Sequence, residues 1–99
     1  MNPSAAGMLG ILNRAGLVAF GYDCLTKMRK ASLILLASDA SDNTVSKIAS
    51  AAKSAGVPVL EIGSKAELGQ PLGYPELSAV AILSQKGAKS LREKLQKGE

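Results

Sequence analysis

The chain has 99 residues, 46% apolar and 20% charged, with 12 basic and 8 acidic side chains and a net charge of +4. That length supports a single hydrophobic core, hence one domain over residues 1–99 with ends expected to fray, and the composition argues against disorder. With no histidine and one cysteine, histidine acid–base catalysis and an internal disulfide are excluded, and zinc, haem and iron–sulfur centres are disfavoured. No apolar run approaches the roughly 18–20 residues of a membrane span, and the N-terminus lacks the early positive charge of a secretory signal. A lone cysteine fits a reducing, cytoplasmic compartment.

In chain order, Ala5, Met8, Leu9, Leu12 and Ala15 keep helical spacing up to Gly16. Leu17–Phe20 is a short apolar stretch closed by Gly21, and Cys24, Leu25 and Met28 predict a second helix over 22–30. Leu33–Ala37 is a continuous apolar run of strand length, the kind buried on both faces of a sheet. Ser41 is an N-cap for a helix with Val45, Ile48, Ala49 and Ala52 on one face, ending at Gly56. The next strand spans 57–62, with Pro58 near its start, where a missing donor costs least.

Ser64-Lys65-Ala66-Glu67 is a capping box, opening a short helix that should fail around Pro71 to Gly73. Residues 79–83 form the last buried strand, and Ala88, Leu91 and Leu95 one stripe of a closing helix. Helices alternating with short apolar strands predict an α/β sandwich with a largely parallel central sheet covered on both faces.

The chemical inventory is thin. No phosphate-loop or dinucleotide fingerprint is present, and Gly7-Met8-Leu9-Gly10 sits within an apolar helical pattern, as a packing feature. Asp39 and Asp42 lie beside a helix start, where carboxylates cap free N–H groups, and no partner is spaced for acid–base or metal work. Cys24 falls on the apolar side of its helix, the position of an inert thiol. Together these predict a non-enzymatic protein with no cofactor, no metal, no membrane contact and no small-molecule substrate.

Charge is segregated along the chain. Residues 1–36 carry a net +3, residues 37–76 a net −2 and residues 77–99 a net +3. This pattern permits a polyanionic partner without requiring one. The basic C-terminal segment contains Lys89–Glu93 and Glu93–Lys97 at i,i+4, the mark of a solvated helix face. Phe20, Tyr22 and Tyr74 are the only aromatic residues, too few for a platform that stacks single-stranded bases. RNA binding would therefore rest on loops, helix starts and a few charges acting on a shaped target.

One place fits that description. Gly21 closes a strand and opens a helix, so free N–H groups around Tyr22 to Leu25 point outward, with Lys27 within reach of a phosphate. An ordinary tight strand-to-helix junction is the structural alternative.

Three segments resemble the kink-turn-binding ribosomal-protein family of the L-seven-Ae and L-thirty-e type, and within it the small bacterial YlxQ-like branch. They are Leu9–Gly16 with Gly21, Leu35–Ser41, and Ser64–Gly73 with its Leu68-Gly69-x-x-x-Gly73 pattern ahead of Val80-Ala81-Ile82. The likeness covers most of the chain, from residue 8 to residue 90. It implies a three-layer α/β/α sandwich on a four-stranded, largely parallel (mixed) sheet. It also implies recognition of a structured, kink-turn-like RNA, ribosomal or regulatory, in a ribosome-associated setting with ribosomal proteins as further partners.

In that family a G-x-N-E-x-x-K motif grips sheared G·A pairs. Here the stretch is Gly21-Tyr22-Asp23-Cys24-Leu25-Thr26-Lys27. Glycine and lysine remain, while Asp23 replaces the asparagine and Cys24 the glutamate; a carboxylate accepts without donating, and a thiol does little of either. The resemblance implies a second RNA-facing element in the loop Tyr74-Pro75-Glu76-Leu77-Ser78. There Glu76 offers an acceptor to a base edge and Leu77 a cover for an unstacked base. The competing expectation is a protein-interaction module on a ribosomal or RNA-processing assembly, with weak or lost kink-turn affinity.

Overall fold

The computed structural model describes residues 1–96. Helix α1 spans Pro3–Arg14. Asn2 opens it, accepting from the Ala5 N–H at 2.8 Å and donating its side-chain amide to the Lys94 carbonyl at 2.9 Å. Pro3 follows, where its missing N–H is no loss. The Asn2 side chain thus ties the N-terminal end to the segment around Lys94. The fraying expected at the other end, and the Glu93–Lys97 pair, lie at least partly outside the described residues.

Four strands form one sheet in the order β1–β4–β2–β3, where β1 is Val18–Phe20, β2 Leu33–Leu36, β3 Val59–Glu61 and β4 Ala79–Ile82. Strands β1, β2 and β3 run the same way; β4 runs against them and pairs antiparallel with both β1 and β2. Only β2 and β3 form a parallel pair. The sheet is thus mixed, as expected, with three of its four strands in one direction and two of its three hydrogen-bonded pairs antiparallel.

The reason lies in the connections. Helix α3 (Asp42–Ala55) carries the chain back along the sheet between β2 and β3. Helix α4 (Lys65–Gly69) has five residues. At 1.5 Å per residue it is too short to return the chain to the far end. So β4 starts at the end where β3 stopped and must run in reverse.

Side chains alternate across the sheet. Leu33, Leu35, Val80 and Ile82 pack under α1, α4 and α5 (Gln85–Gln96), together with Leu9, Leu12, Leu68 and Leu91. On the other face Ile34, Leu36, Ala79 and Ala81 pack against Cys24, Met28, Ile48 and Ala52. Both faces are covered, which explains the unbroken apolar runs and produces the α/β/α sandwich.

The caps behave as their sequences predict. The Ser41 hydroxyl accepts from the Thr44 N–H, and α3 ends at Gly56 in the left-handed region. Ser64 and Glu67 form the reciprocal capping box. A 3-10 turn over Gln70–Leu72 then closes the segment at Gly73. Ala49, expected on the buried face of α3, is exposed; half-buried Val45, Ala51 and Ala55 flank Ile48 and Ala52 instead.

The helix predicted over 22–30 is divided. Helix α2 covers Tyr22–Thr26, and Lys27 leaves helical geometry at φ −105° before a 3-10 turn over Met28–Lys30. A 3-10 turn rises about 2.0 Å per residue against 1.5 in an α-helix, so fewer residues bring the chain down to the start of β2.

Candidate nucleic-acid interface

The directions of the strands define two ends of the sheet. The upper end gathers the C-termini of β1, β2 and β3 and the N-terminus of β4. Both segments expected to face RNA lie there: Gly21–Lys27 leaves β1, and Tyr74–Ser78 enters β4, with Phe20 opposite Val80 in the register. The Phe20 and Tyr74 rings meet edge to face, with centroids 4.9 Å apart and planes at 66°. Such a pair contributes about 0.5–1.5 kcal/mol beyond its buried area and locks the loop against the end of β1.

Gly21 stands at φ +65° and ψ −141°. A Cβ there would meet nothing within 4 Å, so the glycine is required by the turn and not by crowding. The turn throws Tyr22 outward at 79% exposure, with Asp23 and Lys27 also exposed.

Cys24 turns the other way. It is 0% exposed, packed in the cluster with Met28 and Ile34, and burial pushes its thiol up to about 11. Its N–H is already donated to the Gly21 carbonyl at 3.1 Å. Neither its side chain nor its amide is available to a ligand, which removes Cys24 from the expected contact set. Lys27 is the C-terminal cap of a five-residue helix. Its side chain is exposed at the negative end of that short helix.

The 74–78 loop is held from beneath. A Cβ on Gly69 would lie 2.8 Å from the Tyr74 carbonyl oxygen and 2.8 Å from the Glu76 Cα, so only glycine lets the loop backbone settle on α4. Tyr74 donates its N–H to the Gly69 carbonyl at 3.1 Å, Leu77 donates to the Lys65 carbonyl at 3.0 Å, and the Ser78 carbonyl accepts from Ala37 at 2.8 Å. Tyr74 is 48% exposed, Pro75 and Glu76 are exposed, and Leu77 and Ser78 are half-buried. The loop presents Tyr74, Pro75 and Glu76 outward while Leu77 and Ser78 fasten it.

Asp39 does not cap the helix it precedes. Its carboxylate accepts from the Lys65 N–H at 2.8 Å, capping α4 from 26 positions away. Ser38 likewise bonds through its hydroxyl to the Gly63 carbonyl. Lys65 in turn lies 3.9 Å from the Glu76 carboxylate. Residue-by-residue reading missed this bracing; the co-occurrence of Leu35–Ser41 and Ser64–Gly73 was its only trace. Glu67 pairs with the Met1 amino group at 3.0 Å, and that bond, helped by the Ser64 N–H, holds its carboxyl below the ordinary range.

The upper end is rich in carboxylates. Asp23, Asp39, Asp42, Glu61, Glu67 and Glu76 all stand on elements that begin or end there, with Lys27, Lys65, Lys94 and the Met1 amino group among them. Positive charge at this end is scattered among these carboxylates, and the surface offers acceptors and two exposed tyrosines, Tyr22 and Tyr74.

The fold and this end of it define a small α/β/α sandwich with two loop segments joined at one end of its sheet. Residues 6–92 match the model of the Ribosomal protein L7Ae/L30e/S12e/Gadd45 family, and the chain belongs to that family. It is 36% identical over 87 residues to the RNA-binding protein YlxQ of Bacillus subtilis (strain 168), spanning 85% of this chain and 87% of the relative. A second RNA-binding protein YlxQ, from Enterococcus faecium, is 32% identical over 74 residues, 72% of each chain.

Among solved structures, a protein of unknown function from Bacillus halodurans C superposes with a TM-score of 0.87 at 21% identity, over 96% of this chain and 99% of that one. The Giardia lamblia 15.5kD RNA binding protein superposes with a TM-score of 0.71 at 19% identity, over 98% and 89%. These two likenesses establish the shared fold. Among the described residues no helix is long and apolar enough to cross a membrane, and no group of three or more acidic or cysteine side chains is placed to hold a metal.

Proposed function

We propose that this chain is a non-enzymatic, cytoplasmic RNA-binding domain. It recognises a structured, kink-turn-like element in ribosomal or regulatory RNA, chiefly by shape, and works in association with the ribosome. The observation that carries the reading is the meeting of Gly21–Lys27 and Tyr74–Ser78 at one end of the sheet, joined by the Phe20–Tyr74 contact. Family membership and relatives named as RNA-binding proteins support it.

In this reading the Gly21 turn presents the free N–H groups of Tyr22 and Asp23 to the RNA, because the first amides of a helix have no partner within it. The Asp23 carboxylate accepts from a guanine edge, Lys27 meets a phosphate, and Tyr74, Pro75 and Glu76 lie against the bent strand. Cys24 contributes packing under the turn. The contact is therefore leaner in base-reading groups than the family motif implies, and shape carries more of the selectivity.

The test is titration of the protein with a kink-turn RNA and with the same RNA lacking its G·A pairs, alongside Lys27→Ala. Tighter binding to the intact kink-turn, weakened by Lys27→Ala, is the expected result. Equal binding of both RNAs with a steep salt dependence defeats kink-turn recognition. The burial of Cys24, which removes one of two base-reading positions, would then favour the protein-interaction role on a ribosomal assembly.

A further inference from the structure

The lower end of the sheet has the opposite electrostatic character. A groove of about 500 Å³ runs between α5 and the segments that enter β2 and β3. One wall is a stripe of α5, Gln85, Lys89, Arg92 and Gln96, spaced i, i+4, i+7 and i+11 and so on one helical face. The other wall is made of small residues, Ala31, Ser32, Gly56 and Pro58. Glu93 is the one carboxylate in the lining.

The Lys89–Glu93 pair expected from their spacing is not among the ion pairs of the described residues, which are Met1–Glu67 and Lys65–Glu76. Lys89 and Arg92, both exposed, thus enter the groove without a carboxylate partner within 4.0 Å among the described residues. Lys30 directly precedes one wall, and Lys53 stands in the last turn of α3 above Gly56. The cations of the lining itself, Lys89 and Arg92, both come from α5, and residues 31–32, 56–58 and 85–96, far apart in sequence, meet at this groove.

We infer that the groove is a second RNA contact, in which Lys89 and Arg92 hold the sugar–phosphate backbone of an RNA strand without reading its sequence. Charge complementarity selects the occupant: the lining is cationic and donor-rich, and its far wall is low enough for a backbone to lie along α5. An apolar or basic protein segment would gain little from two cations that have no carboxylate within 4.0 Å among the described residues. Side chains one helical turn apart on α5 are about 5–6 Å from one another, a spacing that suits successive phosphates of one strand. The inference rests on the RNA-binding reading but not on kink-turn recognition, because it uses the opposite end of the sheet.

The experiment measures affinity for a kink-turn RNA and for its G·A-lacking counterpart at several salt concentrations. It compares the wild type, Lys89→Gln/Arg92→Gln, the charge-matched control Lys47→Gln/Lys86→Gln, and Lys27→Ala. All five positions are exposed, and thermal melts confirm that each variant folds. For the groove pair, affinity for both RNAs should fall roughly tenfold at low salt and the slope of log K against log salt should shrink by about 2, with kink-turn preference unchanged.

An equal loss in the control pair would overturn the groove, leaving only general charge. Absence of RNA binding by the wild type overturns both readings. If the wild type shows no kink-turn preference but the slope change stays confined to the groove pair, the kink-turn reading fails and the groove stands.

Discussion

The two ends of the sheet are built on different physical principles. The upper end is a set of backbone fittings: Gly69 beneath the 74–78 loop, Asp39 capping α4, the Ser64–Glu67 box and the Gly21 turn. Its geometry is fixed by contacts that tolerate little change, and its charge is mostly negative. The lower end is a shallow groove whose character comes from exposed cations on α5, with few bonds holding them. Rigidity suits recognition of a particular shape, whereas exposed cations suit an extended polyanion whose sequence is immaterial. On the RNA-binding reading proposed above, one small domain divides selectivity and general affinity between opposite poles.

The upper end can be broken most sharply through its floor. Gly69→Ala drives a Cβ against backbone atoms that cannot rotate away, so a loss of about 2–3 kcal/mol of stability is expected by urea unfolding. The loop should be displaced with it, weakening kink-turn affinity in the molecules that remain folded. A lower-end pair such as Lys89→Gln/Arg92→Gln should leave stability within about 0.5 kcal/mol of wild type, as exposed substitutions usually do.

The thiol under the Gly21 turn supplies a test by pH. Burial raises Cys24 from 9.0 to about 11, so the neutral thiol is the form that the fold accommodates. An acid whose folded pKa is raised leaves stability intact below the unfolded pKa. Stability then falls as pH rises between the two values, because the unfolded chain releases its proton first. A loss of roughly 2–3 kcal/mol is expected across that window. Urea melts from pH 8 to 11 should show it in the wild type, and Cys24→Ala should lack that component. RNA affinity of folded Cys24→Ala at neutral pH should match wild type, since the thiol faces the core.

Smaller effects sharpen the contrast. Lys27→Ala should weaken intact kink-turn binding about tenfold while leaving the melt unchanged, as expected for an exposed charge at a phosphate. Ser64→Ala removes one half of the capping box and should cost about 1 kcal/mol of stability. Its influence on RNA binding should be confined to the upper end, with the salt slope of the lower groove unaltered.

The order of elements, nearly every cap and the two-faced burial of β2 and β4 were legible in the sequence, because each depends on residues within a few positions of one another. Ser41, Gly56 and the Ser64–Glu67 box announce their helix ends locally, and the apolar runs 33–37 and 79–83 announce double coverage. The candidate site was legible as two separate segments, Gly21–Lys27 and Tyr74–Ser78. Their edge-to-face junction was not, since Phe20 and Tyr74 are distant along the chain and nothing local pairs them.

Tertiary structure alone decided the rest. The short α4 makes β4 run in reverse, a consequence of how far a five-residue helix reaches, and its pairing with both β1 and β2 placed it between them. The Gly21 turn and the packing of α2 on the sheet direct Cys24 inward and Tyr22 outward, which side-chain chemistry does not foretell. The three alternating blocks of charge became an acidic upper end and a basic lower groove only when chain direction placed each element's ends. Composition sets how much charge a chain carries, and the path of the backbone through the fold sets where opposite charges accumulate.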